Sequence, residues 1–366
     1  MRICCIFNMA PHYRMPIFTL MSENFDCDFY FGDKMQQPIK KLNYNELKGF
    51  KKELHNVFIG SSFYWQRKSV RLVFKNYDYF VLSGEPFCIS YWFILLIAKL
   101  LGKKTVTWTH GFYGREGGVK KVVKRAFFKL FTKIMVYSDY SIGLMKKEGI
   151  DARKMFCIAN ALDTDSQLII RQKLNKTDVF SSYFGNEDPV VFYIGRIQKI
   201  KRLDLLVESF KKLKDEDVKC NLVIVGKDDE NVGLPKIINE LGIDDSVWLY
   251  GPCYDEEAIG EMFYNSAVCV SPGNVGLTSI HALTYGCPVV THDNFPYQMP
   301  EFEAITPDET GSFFKMDDVD DLTEKIRLWL EKSPEERGKT RELAYRTIDE
   351  KWNVHYQIAV MKKVFV

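Results

Sequence analysis

Short apolar runs rich in β-branched and aromatic residues alternate along this chain with segments whose apolar positions recur every three or four residues. Runs at 2–7, 55–59, 79–82, 104–109, 134–137 and 155–158 predict strands, and a second set follows at 190–194, 221–225, 247–250, 267–271 and 287–291. Helical spacing fills 12–22, 91–101, 119–133, 203–214, 234–241, 255–265, 277–285 and 319–331. Parallel strands need a helix-length crossover between them, so this alternation predicts an α/β fold with helices covering parallel sheets. A polar stretch at 163–189 separates the two sets, and 366 residues exceed what one ordinary core holds. The expected architecture is two Rossmann-like domains facing across a cleft: a first domain at 1–165, a linker at 166–188 and a second domain at 189–344. A last amphipathic helix is expected at about 337–362, its end (about 345–366) a candidate for packing back on the first domain. Ligands of such sheets bind outside the carboxyl ends of the strands.

Charge adds an asymmetry. Lys+Arg number 50 and Asp+Glu 48, a net +2 that argues against a nucleic-acid partner. Residues 1–176 nevertheless hold 29 Lys/Arg and 14 Asp/Glu, whereas 177–366 hold 21 and 34. The nine cysteines form no CxxC pair, so a disulfide framework or zinc site is not expected and a reducing cytoplasm fits best. The most apolar stretch, 87–98, stops at Lys99, short of the roughly 20 residues that span a bilayer. No cleavable signal pattern is visible at the start.

Two segments carry candidate phosphate chemistry. In Phe192-Tyr193-Ile194-Gly195-Arg196-Ile197-Gln198-Lys199-Ile200-Lys201, a buried strand ends in Gly195-Arg196 and Lys201 stands at the entry to a helix. Guanidinium forks and ammonium groups suit phosphate oxygens, and a helix start adds to the positive field. In Ser271-Pro272-Gly273-Asn274-Val275-Gly276-Leu277-Thr278-Ser279-Ile280-His281, a strand passes through a glycine-containing turn into a helix, whose first amides can face an anion. Either segment alone is a common feature of βαβ units.

Together, with Leu222-Val223-Ile224-Val225-Gly226, Val247-Trp248-Leu249-Tyr250-Gly251 and Gly286-Cys287-Pro288, they resemble the donor domain of GT-B-fold retaining glycosyltransferases of family 4, the group 1 glycosyltransferases. In the first half, Thr109-His110-Gly111 resembles the strand-end His-Gly of that family, and Asn160-Ala161-Leu162-Asp163 its domain junction. The resemblance covers roughly residues 105–300. It implies transfer of a sugar, with retention, from a nucleotide diphosphate sugar to a glycan or lipid-linked acceptor, in cell-surface polysaccharide synthesis. It assigns Arg196, Lys201 and His110 to catalysis: the two cations to the diphosphate, and His110 to the donor sugar rather than to general base work. Gly195, Gly226, Tyr250, Gly276, Leu277, Thr278 and His281 would border the donor. No metal and no cofactor is implied.

Two departures stand out. The family places glutamates where this chain has Gly273 and His281. His281 can still hydrogen-bond a ribose hydroxyl. Gly273 supplies no carboxylate; the nearest later acids are Asp293, Glu301 and Glu303, and Asp293 is the expected substitute. The first loop, Asn8-Met9-Ala10-Pro11-His12-Tyr13-Arg14, lacks the usual glycine pair, and His12 or Arg14 would face acceptor or phosphate. The alternatives are a sugar-nucleotide epimerase and a non-catalytic sugar-nucleotide-binding protein. Finally, 119–134 carries an unbroken apolar stripe opposite Lys120, Lys121, Lys124, Arg125, Lys129 and Lys133, with Phe128 as an apolar exception. Such a helix is expected to pack by its stripe and to offer its basic face to anionic lipid, which would make the protein peripheral on the cytoplasmic membrane face.

Overall fold

The apolar runs pair as parallel strands. The first set is β1 (Arg2–Phe7), β2 (Asp26–Gly32), β3 (Phe50–Leu54), β4 (Asn56–Ile59), β5 (Phe63–Gln66), β6 (Tyr79–Ser83), β7 (Lys104–Thr109), β8 (Lys133–Val136) and β9 (Met155–Cys157). Seven of these form one sheet in the order β3-β2-β1-β6-β7-β8-β9, while β4 and β5 make a separate antiparallel hairpin. The connecting helices are α1 (Met15–Asn24), α2 (Ile89–Leu100), α3 (Gly118–Lys129) and α4 (Asp139–Lys147). Because side chains alternate across a strand, Ile3, Cys5 and Phe7 of β1 pack with Ile17, Phe18 and Met21 of α1. Cys4 and Ile6 face the layer that holds Tyr91, Ile94 and Leu95 of α2 with Phe127 and Phe128 of α3.

In this computed structural model residues 1–35 and 40–366 are described, and they divide into two units, Met1–Asp163 with Asn353–Val366, and Thr164–Trp352. The second unit contains α5 (Thr164–Arg171), α6 (Ser181–Phe184), β10 (Val190–Ile194), α7 (Leu203–Asp215), β11 (Asn221–Val225), α8 (Leu234–Leu241), β12 (Val247–Gly251), α9 (Glu256–Asn265), β13 (Val268–Ser271), α10 (Thr278–Thr284), β14 (Val289–His292), β15 (Gly311–Phe314), α11 (Val319–Leu330) and α12 (Pro334–Glu350). Its sheet runs β12-β11-β10-β13-β14-β15, all parallel. The order reverses between β10 and β13, so the loops after these strands flank a topological switch point.

Several elements differ from the expectation. The 166–188 segment holds most of α5 and all of α6 within the second unit rather than an open linker. The strand-like segment at Asp26-Cys27-Asp28 opens β2, and the charge in it is buried: Arg2 (3.2 Å) and Lys51 (3.1 Å) pair with Asp28 and the Tyr77 hydroxyl donates to it at 2.6 Å. The single helix expected at 337–362 is two. α12 starts earlier, at a Ser333–Glu336 capping box, and the chain leaves helical geometry at Lys351. Asn353 then caps α13 (Val354–Val364) by accepting from the Tyr356 amide at 2.8 Å, and α13 packs on α1 in the first unit.

The stripe of 119–134 is also only half buried. Phe127, Phe128 and Phe131 are inside, whereas Val119 and Val122 stand exposed at 79% and 54%. Phe128 is therefore core, not an exception on the basic face: the adjacent Phe127 and Phe128 at the end of α3, with Phe131 just past it, all pack inward, while the valines of the first turns stay outside. No helix among the described residues is long and apolar enough to cross a membrane. All nine cysteines are unpaired, and only Cys157 and Cys253 are not buried.

The α12–α13 break predicts that Asn353→Ala lowers the stability of the chain by about 1 kcal/mol, the usual worth of a helix cap, measured by urea denaturation. An unchanged midpoint would mean that the cap holds nothing.

Candidate functional site

The two phosphate-binding segments meet at the switch point of the second unit. β10 ends at Ile194, and its loop closes against Gly226, whose amide donates to Gly251 at 2.9 Å. A Cβ at Gly226 would lie 2.0 Å from the Gly195 carbonyl oxygen, so only glycine allows the two strand ends to come this close. The loop then makes one tight turn at Lys199–Lys201 before α7. The Gly273 amide donates to the Lys201 carbonyl at 3.0 Å, and a Cβ built on Gly273 would lie 2.1 Å from the Ile200 carbonyl oxygen and 2.8 Å from Lys201 Cα. Gly273 is thus a close-approach glycine. The backbone of the lysine turn fills the space in which a side chain at 273 would begin, a second reason, beyond the missing carboxylate, that no acid acts from this position.

This approach places Lys201 Nζ 2.6 Å from the Asn274 carbonyl oxygen and 2.7 Å from its Oδ1. Burial and the neighbouring Arg196 guanidinium pull the Lys201 pKa down to about 8, against a smaller opposing pull from Glu301. Arg196 itself is exposed, and its carbonyl accepts from the Tyr193 hydroxyl at 2.9 Å. Gly276 adopts a left-handed φ of +53°, which turns the chain into Leu277 and Thr278 at the start of α10. The turn is pinned from below: Gln298 Oε1 accepts from the Val275 amide at 2.9 Å, and the Ser279 hydroxyl donates to the Glu301 carbonyl at 2.8 Å. Two cations and the start of a helix therefore share one edge, an arrangement suited to an anion.

Of the three later acids, the expected Asp293 is exposed and accepts from the Met316 amide at 3.1 Å, holding the end of β15. Its role as substitute carboxylate has no support in this placement. The buried Glu301 is the one whose charge reaches Lys201. Tyr250 lies on β12, its ring 5.0 Å from Trp248, which is itself stacked on Tyr183 at 4.1 Å.

The partner of His281 carries no pattern in the sequence. Glu256, the first residue of α9, accepts at Oε1 from His281 Nε2 (2.8 Å), the Tyr285 hydroxyl (2.7 Å) and the Gln167 amide (2.8 Å). Burial pushes the Glu256 carboxyl up, but the hydrogen bond and charge of His281, with the hydrogen bonds of Tyr285 and Gln167, outweigh it and hold it at about 2. The carboxylate absorbs Nε2–H, which leaves Nδ1 as the nitrogen free to act on a ligand. The only signal in the sequence was an acid at a helix start, a feature with an ordinary capping explanation.

In the first unit, the ends of β1, β7 and β8 bring Arg14, His110 and Tyr137 together. The Arg14 guanidinium lies over Trp108 (4.8 Å) and Tyr137 (5.4 Å) and donates to the Tyr137 hydroxyl. His110 packs on Tyr137 at 4.8 Å and on Tyr113 at 6.0 Å, while its carbonyl accepts from the Ser141 hydroxyl at 2.8 Å. Burial, then the Arg14 and Lys124 charges, pull the His110 pKa down to about 3, so the ring is neutral at physiological pH. Gly111 is required beside it, since a Cβ would fall 2.1 Å from Ser141 Oγ. His12 is exposed, its amide donating to the Lys40 carbonyl at 3.1 Å, and it does not join this group.

Residues 175–347 match the family described as Glycosyl transferases group 1, and so carry a group 1 glycosyltransferase domain. Over 189 residues, 46% of this chain, there is 28% identity to the sucrose synthase of Denitrovibrio acetiphilus, and over 114 residues, 30% of the chain, 29% identity to the alpha-D-kanosaminyltransferase of Streptomyces kanamyceticus. These matches span 24% and 29% of the length of those proteins, about a quarter of each. The crystal structure of Anabaena HepE in complex with UDP aligns over 100% of both chains with a TM-score of 0.75 at 13% identity, which gives the fold as GT-B.

Two outcomes follow from the site geometry. Gly273→Glu should lower stability by about 1–3 kcal/mol, the range for overpacking a close-packed position, in chemical denaturation; wild-type stability would show that the lysine turn yields. Glu256 has a depressed carboxyl pKa, so its contribution is present above pH 4.5 and lost as pH falls towards 2. The stability advantage of the wild type over Glu256→Gln should therefore shrink between pH 4.5 and 2, and a difference independent of pH in that window would refute the ion pair.

Proposed function

We propose that the chain transfers a sugar, with retention and without a metal, from a nucleotide diphosphate sugar to a glycan or lipid-linked acceptor, in cell-surface polysaccharide synthesis at the cytoplasmic face of a membrane. The observation that carries this reading is Lys201, largely removed from water beside Arg196, with only neutral oxygens of Asn274 within hydrogen-bonding distance. A diphosphate supplies the charge that this pair lacks. The group 1 match over 175–347 and the UDP bound by the structurally similar HepE support a nucleotide diphosphate as that anion.

In the reaction, the bond between the anomeric carbon and the diphosphate breaks, and its electron pair leaves with the diphosphate. Arg196, Lys201 and the amides at Gly276, Leu277 and Thr278 stabilise the charge that develops there. The acceptor oxygen bonds to the anomeric carbon on the face that the diphosphate vacates, and its proton passes to the departing diphosphate. Neutral His110 suits a hydrogen bond to the donor sugar and is not the base. His281, oriented by Glu256, offers Nδ1 to a ribose hydroxyl; Gly195, Gly226 and Tyr250 border the nucleotide, and Arg14 faces the acceptor.

A second reading has one observation in its favour. The lysine turn that occupies the space at Gly273 removes a carboxylate from the sugar side, which fits a non-catalytic nucleotide-sugar-binding protein.

Arg196→Ala and Lys201→Ala should each reduce donor hydrolysis or transfer by roughly 100–1000-fold, the usual loss for one group that stabilises a leaving oxyanion. Folded variants with full turnover would overturn the assignment, and nucleotide binding without any turnover in the wild type would select the second reading. A lysine with a pKa near 8 binds an anion in its charged form, so the affinity for a nucleoside diphosphate should fall as pH rises through about 8. In Lys201→Arg it should stay flat over that interval, as titration calorimetry would read.

A further inference from the structure

Most of the exposed large apolar residues of the first unit gather on one set of neighbouring elements. On α2, Phe93, Leu96 and Leu100 stand three and four residues apart, which puts them on one helical stripe, and all three are exposed, Leu100 at 86%. The stripe therefore faces away from the sheet, while Tyr91, Ile94, Leu95 and Ala98 of the same helix form the core face. Phe93 packs edge-on against Trp65 of the β4–β5 hairpin at 5.5 Å, and the same hairpin exposes Ile59 and Phe63. At the other end of the helix, Lys103 Nζ donates to the Lys75 carbonyl at 2.5 Å, which ties the exposed Leu101 region to Phe74, exposed at 67%. An unpaired apolar ridge so runs from a hairpin tip along a helix to a short turn.

Its charge is one-sided. Between residues 54 and 115 the sequence has eight Lys/Arg and two acids, Asp78 and Glu85. Asp78, exposed at the start of β6 and three residues after Lys75, accepts from the Arg2 amide at 2.8 Å, and Glu85 accepts from Asn8 beyond the other end of β6. Arg67, Lys68, Arg71, Lys75 and Lys99 are exposed beside the apolar residues. By contrast, two of the basic groups on α3 are already spent on ion pairs, Lys121 with Glu148 (2.6 Å) and Lys124 with Glu116 (2.5 Å), and Lys133 donates to the Val364 carbonyl.

We propose that the ridge formed by α2, the β4–β5 hairpin and the 70–75 turn docks on an anionic lipid surface, with Phe74, Phe93, Leu96 and Leu100 entering the interface and Arg67, Arg71, Lys75 and Lys99 lying at phosphate level. Isolated rings and leucines on protruding elements, interleaved with cations that outnumber the one exposed acid, Asp78, complement a bilayer interface, where apolar tips leave water and surface cations meet lipid phosphate. The surface is separate from the donor site and stands whether or not the transferase reading holds.

The full chain would be co-sedimented with phosphatidylcholine vesicles with and without phosphatidylglycerol. Binding to the anionic vesicles that falls with salt is expected. Leu96→Ser/Leu100→Ser and Arg71→Glu/Lys99→Glu, all at exposed positions, should keep the wild-type melting temperature yet lose roughly 10-fold or more of the binding, because each removes several interfacial contributions. The control Lys120→Glu/Arg125→Glu on α3 reverses as many cations outside the ridge and should lose no more than about 2-fold, since surface attraction falls off within a Debye length of the contact. Equal partitioning of the wild type onto both vesicle types, or a greater loss in the α3 variant than in the α2 variants, overturns the proposal. So does a wild-type dimer in sedimentation velocity that Leu96→Ser/Leu100→Ser dissolves without the wild type binding vesicles, since the ridge is then a contact between copies of the chain.

Discussion

The ligand edge of the second unit is organised by a lysine ammonium held largely out of water. Charges so placed demand compensation, and Lys201 receives only two oxygens of Asn274 while Arg196 opposes it. The fold carries this cost through backbone contact: the turn at Lys199–Lys201 presses on Gly273, and Gly226 lets the β10 loop close. The Gly273 contact sets the lysine turn directly against the start of the 273–276 turn. Gln298 and Ser279 bond that turn from the protein side, and Gln298 is itself held by Thr291.

The first unit treats charge differently. Arg14 is stabilised by ring faces and a phenol rather than by a carboxylate, and its field helps to keep His110 neutral. A neutral imidazole beside an arginine can accept from or donate to a hydroxyl without changing charge, whereas the arginine keeps its positive charge throughout.

Much of the layout was legible because strands buried on both faces read as unbroken apolar runs: β1, β6, β7, β10, β11 and β13 could each be located from composition alone. β3 escaped because it is a charged edge strand, Phe50–Leu54, with three exposed residues in a row, and the break at Lys351–Asn353 escaped because helical periodicity on either side hides a cap. Within the site, Gly195-Arg196 and Gly276 were visible as local patterns. The Glu256–His281 pair was not, since it joins residues 25 apart on two helices, and neither carries a pattern of its own. Gly273 was read as a lost carboxylate, but only packing reveals that backbone now occupies the space. The stripe at 119–134 misled for a related reason: periodicity gives the angular spread of apolar residues, not which part of the arc meets the sheet.

The distribution of the cysteines has a practical side. Seven thiols lie inside the two sheets and their helix layers, and burial raises those of Cys4, Cys5, Cys88, Cys220, Cys269 and Cys287, which makes them poor nucleophiles. Cys253, two residues past the end of β12 and in the electrostatic field of Tyr250, remains within reach of solvent. The native chain thus brings its own attachment point for a fluorophore at the edge strand of the second sheet, with Cys157 as the one competitor to remove.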